Sequence, residues 1–272
     1  MMRVGFIGCG SIGSAGALAI AEGRVANAAL AGIADAVESD LARKTAAAAH
    51  CPFMADARAL LELHPDLVVE AASQDAVRAW GRAVLEAGAD LMIVSVGALA
   101  DAELLVALAG AAEKNGKRIY VPSGAIGGLD IIKSAAVGGL QECRLTTTKP
   151  PRALKGAAGL AEKGVDLDAI QAPTVVYEGP ASQAVRLFPQ NVNVAAAISL
   201  AGIGLERTVV RLVADPGAAR NVHEVFVRGA FGEATIRLEN LPSPSNPRSS
   251  YLASLSVIAA LQQICRPFQI GT

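Results

Sequence analysis

Near the start of this 272-residue chain, the segment Gly8-Cys9-Gly10-Ser11-Ile12-Gly13 follows the pattern G-x-G-x-x-G. It comes directly after the short apolar run at 3–7 and opens an Ala-rich helical stretch reaching about residue 22. In a strand–turn–helix setting each glycine has its own task. Gly8 permits a tight turn, Gly10 removes a Cβ so that backbone can approach a diphosphate, and Gly13 lets helix pack closely on strand. The first helical residues, Ser11 and Ile12, then present free N–H groups and a partial positive charge to phosphate oxygens. Asp35 stands 22 residues after Gly13, at the end of a second apolar run, Ala28 to Ala34. A carboxylate there binds the ribose hydroxyls of an adenosine and repels a 2′-phosphate, so these residues point to NAD ahead of NADP.

A group that exchanges protons near neutral pH is the other requirement for redox chemistry on an alcohol or amine. The chain has three histidines. His50 and His64 stand at helix ends before Cys51-Pro52 and Pro65, where a cation complements the helix terminus. His223 lies near the start of a strand, in Asn221-Val222-His223-Glu224-Val225-Phe226-Val227, within the half of the chain expected to hold substrate. It is the candidate acid/base; the alternative is a half-buried strand histidine with a hydrogen-bonded ring and no chemistry.

The elements that must position these residues alternate regularly over the first part of the chain. Strand-like runs at 3–7, 28–34, 53–54, 66–70, 91–96 and 118–122 are separated by helical stretches. This predicts an α/β fold: an N-terminal Rossmann doubly wound parallel sheet with right-handed crossovers. After Ser123 the texture changes. Ser123 to Gly128 is a glycine-rich turn at the carboxyl edge of the last parallel strand, where ligands bind in open α/β sheets. Strand candidates follow at 144–149, 175–179, 208–214, 223–229 and 233–238. Helices are expected at 129–138 and 182–200, the latter broken near Pro189. This half reads as a second α+β domain with a mixed or mostly antiparallel sheet. Residues 241–247 read as a Pro/Ser-rich linker and 249–265 as one long apolar helix. The expected division is 1–123 plus 245–272 for the dinucleotide domain, and 124–244 for the substrate, catalytic and oligomerisation domain.

Composition narrows the class. Hydrophobic residues make up 52% and aromatics only 4%, so the core must be built from Ala, Val, Leu and Ile, which allow helices to lie close on a sheet. With 24 basic and 25 acidic residues and no basic stripe, no nucleic-acid partner is expected. No apolar stretch is long enough for a membrane span. The four cysteines are widely and irregularly spaced, so no disulfide framework and no metal site is read; they serve as small, mostly buried hydrophobes. A cytoplasmic location is the default expectation, since the first residues read as a strand and not as a signal peptide.

Several segments together resemble the L-aspartate dehydrogenase family. They are Val4 to Gly10, Val69-Glu70-Ala71-Ala72-Ser73-Gln74, Val94 to Leu99, Val121 to Asp130, Thr147-Thr148-Lys149-Pro150-Pro151, Phe188 to Ala195, and Asn246 to Leu252. They span the whole chain, and Ser123-Gly124-Ala125-Ile126-Gly127-Gly128 with Phe188-Pro189-Gln190-Asn191-Val192-Asn193-Val194 is the specific combination. The resemblance implies oxidation of L-aspartate with NAD or NADP to iminoaspartate. That product hydrolyses to oxaloacetate and ammonia or feeds NAD biosynthesis. It also places the catalytic histidine on His223 and nicotinamide-side contacts on Ala125 and either Asn191 or Asn193; Ala72 and Ser73 are taken as further cofactor-binding candidates. A dicarboxylate calls for cationic and hydroxyl donors. Ser123, Lys149 and Asn193 are the candidates taken for substrate, with Lys133, Arg152 and the threonines at 146–148 behind them. A homodimer is expected, partly because the second sheet offers a face to pair. The alternatives are a reductase like dihydrodipicolinate reductase, a dehydrogenase like homoserine dehydrogenase, or a non-catalytic dinucleotide-sensing module.

Overall fold

The structure is a computed structural model that describes residues 1–162, 164–188, 192–244 and 246–271. The chain divides into two compact units. The first takes in Met1–Gly124, Ser243–Ser249 and Ala253–Ile270, and the second is built mainly from Ala125–Pro242 with Ser250–Leu252.

In the first unit, strands β1 (Met2–Ile7), β2 (Ala28–Ala34), β3 (Phe53–Met54), β4 (Leu67–Glu70), β5 (Asp90–Ile93) and β6 (Ile119–Tyr120) form one sheet in the order β3-β2-β1-β4-β5-β6. Every pairing is parallel. The chain begins at the centre, winds outward to β3, then returns to β4 and winds the other way. The order therefore reverses between β1 and β4, and loops there splay apart to leave a crevice at the carboxyl ends. Helices α1 (Ser11–Ala21), α2 (Asp40–Ala48), α3 (Ala57–Leu61), α4 (Gln74–Glu86) and α5 (Ala102–Asn115) make the connections.

Local chemistry explains the helix starts. Ser39, Ser73 and Asp101 each accept a backbone N–H of the first turn of α2, α4 and α5, as N-caps do. At α1 the cap position is Gly10 and no side chain occupies it. Small residues set the packing distance: a Cβ on Gly16 of α1 would lie 2.8 Å from the Phe6 ring, so only glycine allows the helix so near β1. The final helix, Tyr251–Cys265, returns to this unit and puts Val257, Ile258 and Leu261 in one core with Val4, Phe6, Ile33 and Leu67.

The second unit has a sheet in the order β11-β10-β7-β9-β8, from β7 (Leu140–Lys149), β8 (Thr174–Pro180), β9 (Val209–Ala214), β10 (Asn221–Gly229) and β11 (Gly232–Asn240). Its pairings are antiparallel except β7 with β9, so the sheet is mixed. Helices α6 (Leu129–Val137), α7 (Ala158–Glu162), α8 (Ala181–Leu187) and α9 (Val192–Ala201) belong here. Alternation along β10 buries His223, Val225 and Val227 and leaves Val222, Glu224 and Phe226 half-buried.

Two elements differ from the sequence expectation. Residues 241–247 hold paired strands, Pro242–Ser243 and Asn246–Ser250, where a linker was expected; a two-stranded ribbon has edges on which Pro and Ser cost no ladder bond. The strand expected at 91–96 stops at Ile93, because a 3-10 turn, Val96–Ala100, takes over. Among the described residues, no helix is long and apolar enough to cross a membrane.

Candidate functional site

The first unit carries the turn that the glycine spacing predicts. Gly8 has φ +96°, and a Cβ there would lie 2.6 Å from Ala72 N and 2.7 Å from Ala71 C. A Cβ on Gly13 would run into the Gly8 carbonyl oxygen. Gly10 differs: it is exposed, and among the described residues nothing lies within 4 Å of where its Cβ would be. Two glycines are thus demanded by the protein's own packing, while Gly10 keeps space open in front of the uncapped α1 N-terminus. A diphosphate fits that arrangement, since open space, bare backbone and the helix dipole coincide there. Ser11 and Ile12 sit in the first turn of α1, and the Ser11 hydroxyl lies 3.1 Å from that of Ser243.

A cleft of about 620 Å³ opens beside this turn, lined by Gly8, Gly10, Asp35, Ala72, Ser73 and Trp80 among others. Most of the predicted cofactor residues of this unit are therefore brought together. Asp35 has a task the sequence did not reveal. Its carboxylate accepts the Cys9 N–H at 2.7 Å and the Val37 N–H at 2.9 Å, tying the glycine turn to the end of β2. Asp56 and Asp75 line the same cleft, which gives it three carboxylates. Such lining suits ribose hydroxyls and opposes an added phosphate.

Glu70, the last residue of β4, is a further site residue that motif reading passed over. Only 1% of it is exposed. Oε1 accepts from Ala72 N (2.8 Å), Ser73 N (2.9 Å) and Ser95 Oγ (2.9 Å), and Oε2 accepts from Ser95 N (3.0 Å). Burial raises its pKa, and these hydrogen bonds oppose the rise. The signal available in the sequence was an apolar run, Leu67-Val68-Val69, ending in a carboxylate.

In the second unit, His223 on β10 stands opposite Thr147 on β7 in antiparallel register. Its Nδ1 lies 3.0 Å from Thr147 Oγ1, and the residue is 6% exposed. Burial, helped by the charge of Lys149, pushes its pKa down to about 4, so the ring is neutral at physiological pH. Lys149 is two residues beyond Thr147 on β7, hence on the same face of the sheet. Burial brings its pKa down to about 8. A neutral imidazole held at one nitrogen has its other nitrogen left for proton transfer, and the lysine is a cation suited to a carboxylate.

The remaining predicted residues scatter. Ser123 is half-buried in the first unit, and Ala125 in the second accepts Asn240 Nδ2 at 2.9 Å through its carbonyl. Asn193 lies in the first turn of α9 and is exposed. Asn191 lies outside the described residues. His50 and His64 both have φ +49° just past helix ends and take no part in either cluster. Cys9 and Cys143 are buried, and Cys51 and Cys265 are partly so.

Comparison with known proteins separates the halves. Residues 8–122 match the family profile described as homoserine dehydrogenase, NAD binding domain, and residues 130–264 match that of aspartate dehydrogenase, C-terminal. Over its whole length the chain is 50% identical, across 273 residues, to the L-aspartate dehydrogenase of Methanosarcina barkeri. It is 44% identical, across 274 residues, to that of Nitrosopumilus maritimus, and both matches cover 100% of each chain. The crystal structure of aspartate dehydrogenase from Thermotoga maritima matches it with a TM-score of 0.77 at 28% identity, covering 100% of both chains. The first half alone would fit several dehydrogenases that share a nucleotide-binding sheet. The second half and the end-to-end identity decide among them: the chain belongs to the L-aspartate dehydrogenase family.

Proposed function

We propose that this protein oxidises L-aspartate with NAD+ or NADP+ to iminoaspartate, which water converts to oxaloacetate and ammonia. The observation that carries the reading is the buried, neutral His223 anchored by Thr147, with the cationic Lys149 on the same sheet face. When bound, the oxidised nicotinamide supplies the acceptor for the hydride that leaves the substrate α-carbon.

The chain's own residues do the rest. Gly8, Gly10 and Gly13 with the first turn of α1 hold the diphosphate, and Asp35 holds the ribose. As the carbon–nitrogen double bond forms, the amine nitrogen gives up a proton; His223 accepts it at Nε2 while Thr147 holds Nδ1. The imidazolium returns that proton to the imine nitrogen, and the neutral ring so restored takes a proton from the water that adds to the imine carbon. Lys149, protonated at neutral pH even with its lowered pKa, binds a substrate carboxylate, and Ser123 and Asn193 are further donors. The three cleft carboxylates favour NAD over NADP.

The half-buried outer residues Val222 and Phe226 support pairing of the second sheet in a homodimer, to be read from light scattering. A cytoplasmic enzyme supplying iminoaspartate to NAD biosynthesis is the cellular role this chemistry suits. The deciding experiment follows absorbance at the NADH band with L-aspartate, L-glutamate and homoserine, each with both cofactors. Preference for L-aspartate is expected; equal or greater turnover of homoserine or glutamate would overturn the reading.

A further inference from the structure

The loop after β4 and the turn after β5 meet at one carboxylate. Glu70 accepts Ala72 N–H and Ser73 N–H from its own loop, and the N–H and hydroxyl of Ser95 from the neighbouring one. All four partners donate, so both oxygens work as acceptors and the ionised form satisfies every contact. The segment so held is itself a wall of the dinucleotide cleft: Ala72 and Ser73 line it. It is also pressed against the phosphate turn. The site of a Gly8 Cβ lies 2.6 Å from Ala72 N, so the two loops touch without slack.

We propose that Glu70 is a positioning residue for cofactor binding: its carboxylate clamps the 71–73 loop at the spacing from Gly8 that the dinucleotide requires. It lies behind the cleft wall and acts through Ala72 and Ser73. Position in the fold supports the assignment. β1 and β4 flank the point where strand order reverses, so the loop that Glu70 holds is one of the two facing jaws of the crevice.

A carboxylate is needed and not merely a polar group. Glutamine at 70 keeps an oxygen for one set of donors but turns an NH2 toward the other, so that at least one donor faces a donor. The loop must then shift, with little change in volume.

The test compares Glu70→Gln with Leu108→Val, a core change on α5 that destabilises without touching the cleft. Dissociation constants for NADH and NADPH are read from quenching of Trp80, which lines the cleft and is the chain's single tryptophan. Thermal midpoints are measured in parallel. Glu70→Gln is expected to raise the dissociation constant and the KM for the oxidised cofactor about tenfold. The KM for aspartate should stay within about twofold, and Leu108→Val should leave cofactor affinity alone. A Glu70→Gln protein that binds NADH and NADPH as the parent does would overturn the proposal. So would an affinity loss that Leu108→Val reproduces at equal loss of thermal midpoint. Should Glu70→Gln not fold, Ser95→Ala decides, since it removes one donor: an affinity loss of about threefold supports the clamp, and none rejects it.

Discussion

Thr147 Oγ1 lies 3.0 Å from His223 Nδ1, across two antiparallel strands whose register sets the pair face to face. That bond fixes the ring's orientation, and the proposed mechanism assigns proton transfer to the other nitrogen, Nε2. Replacing His223 with Ala should lower kcat by a factor of about 10² to 10⁴, the usual worth of a general acid/base, with NADH affinity within about twofold of the parent. Thr147→Val should cost roughly tenfold in kcat, and Thr147→Ser should restore most of it. Steady-state kinetics with a parallel NADH titration checks both; a Thr147→Val enzyme of full activity would remove the hydroxyl from the mechanism.

The same imidazole makes stability depend on pH in a stated direction. Its pKa falls from 6.5 when the chain is unfolded to about 4 when folded. A depressed folded pKa means that the unfolded chain takes the proton first. The contribution is therefore complete above pH 6.5 and is lost as pH drops toward about 4. At 1.36 kcal/mol for each pKa unit, the loss is about 3 kcal/mol. Urea unfolding at pH 7 and pH 4.5 should show a steeper decline for the parent than for His223→Gln. Parallel declines would mean that the histidine titrates normally in the fold.

Two glycines of one motif should behave oppositely. Gly10→Ala meets no atom of the described residues within 4 Å, so thermal stability should hold while dinucleotide affinity falls by an order of magnitude or more. Gly13→Ala drives a methyl into the Gly8 carbonyl, and overpacking of that kind costs about 1–3 kcal/mol. Calorimetry together with NADH titration separates the two effects.

Asp35 both closes the turn through Cys9 N–H and faces the cleft. Asp35→Ser should lower kcat/KM for NAD+ by roughly tenfold to a hundredfold, the worth of a hydrogen bond to a charged group. The penalty with NADP+ should be smaller, because a repulsive charge is removed. An unchanged ratio of the two specificity constants would show that discrimination resides elsewhere, in Asp56 or Asp75.

The parts of this molecule that could be read in one dimension are those whose partners are near in sequence. The glycine turn and Asp35 belong to one strand–helix–strand unit, and a fixed spacing describes them. The pairing of His223 with Thr147 joins residues 76 positions apart and depends on a sheet register that no local pattern states. His223 could be singled out by its chemistry, but its anchor could not. Glu70 was invisible for a related reason: a carboxylate at a strand end is ordinary until Ser95, 25 residues later, is seen to arrive beside it. The ribbon within 241–250 escaped because Pro and Ser advertise loops, and only edge pairing makes them strands.

The closing helix carries a consequence for biosynthesis. Val4 and Phe6 leave the ribosome about 250 residues ahead of Val257 and Leu261, which complete the same core. The nucleotide-binding half is thus begun first and sealed last. A nascent chain holds a nearly finished sheet with one apolar flank bare for most of its elongation, and a product truncated before residue 253 keeps that flank bare for good. Such a fragment is a substrate for chaperones and proteases, and not a weaker version of the enzyme.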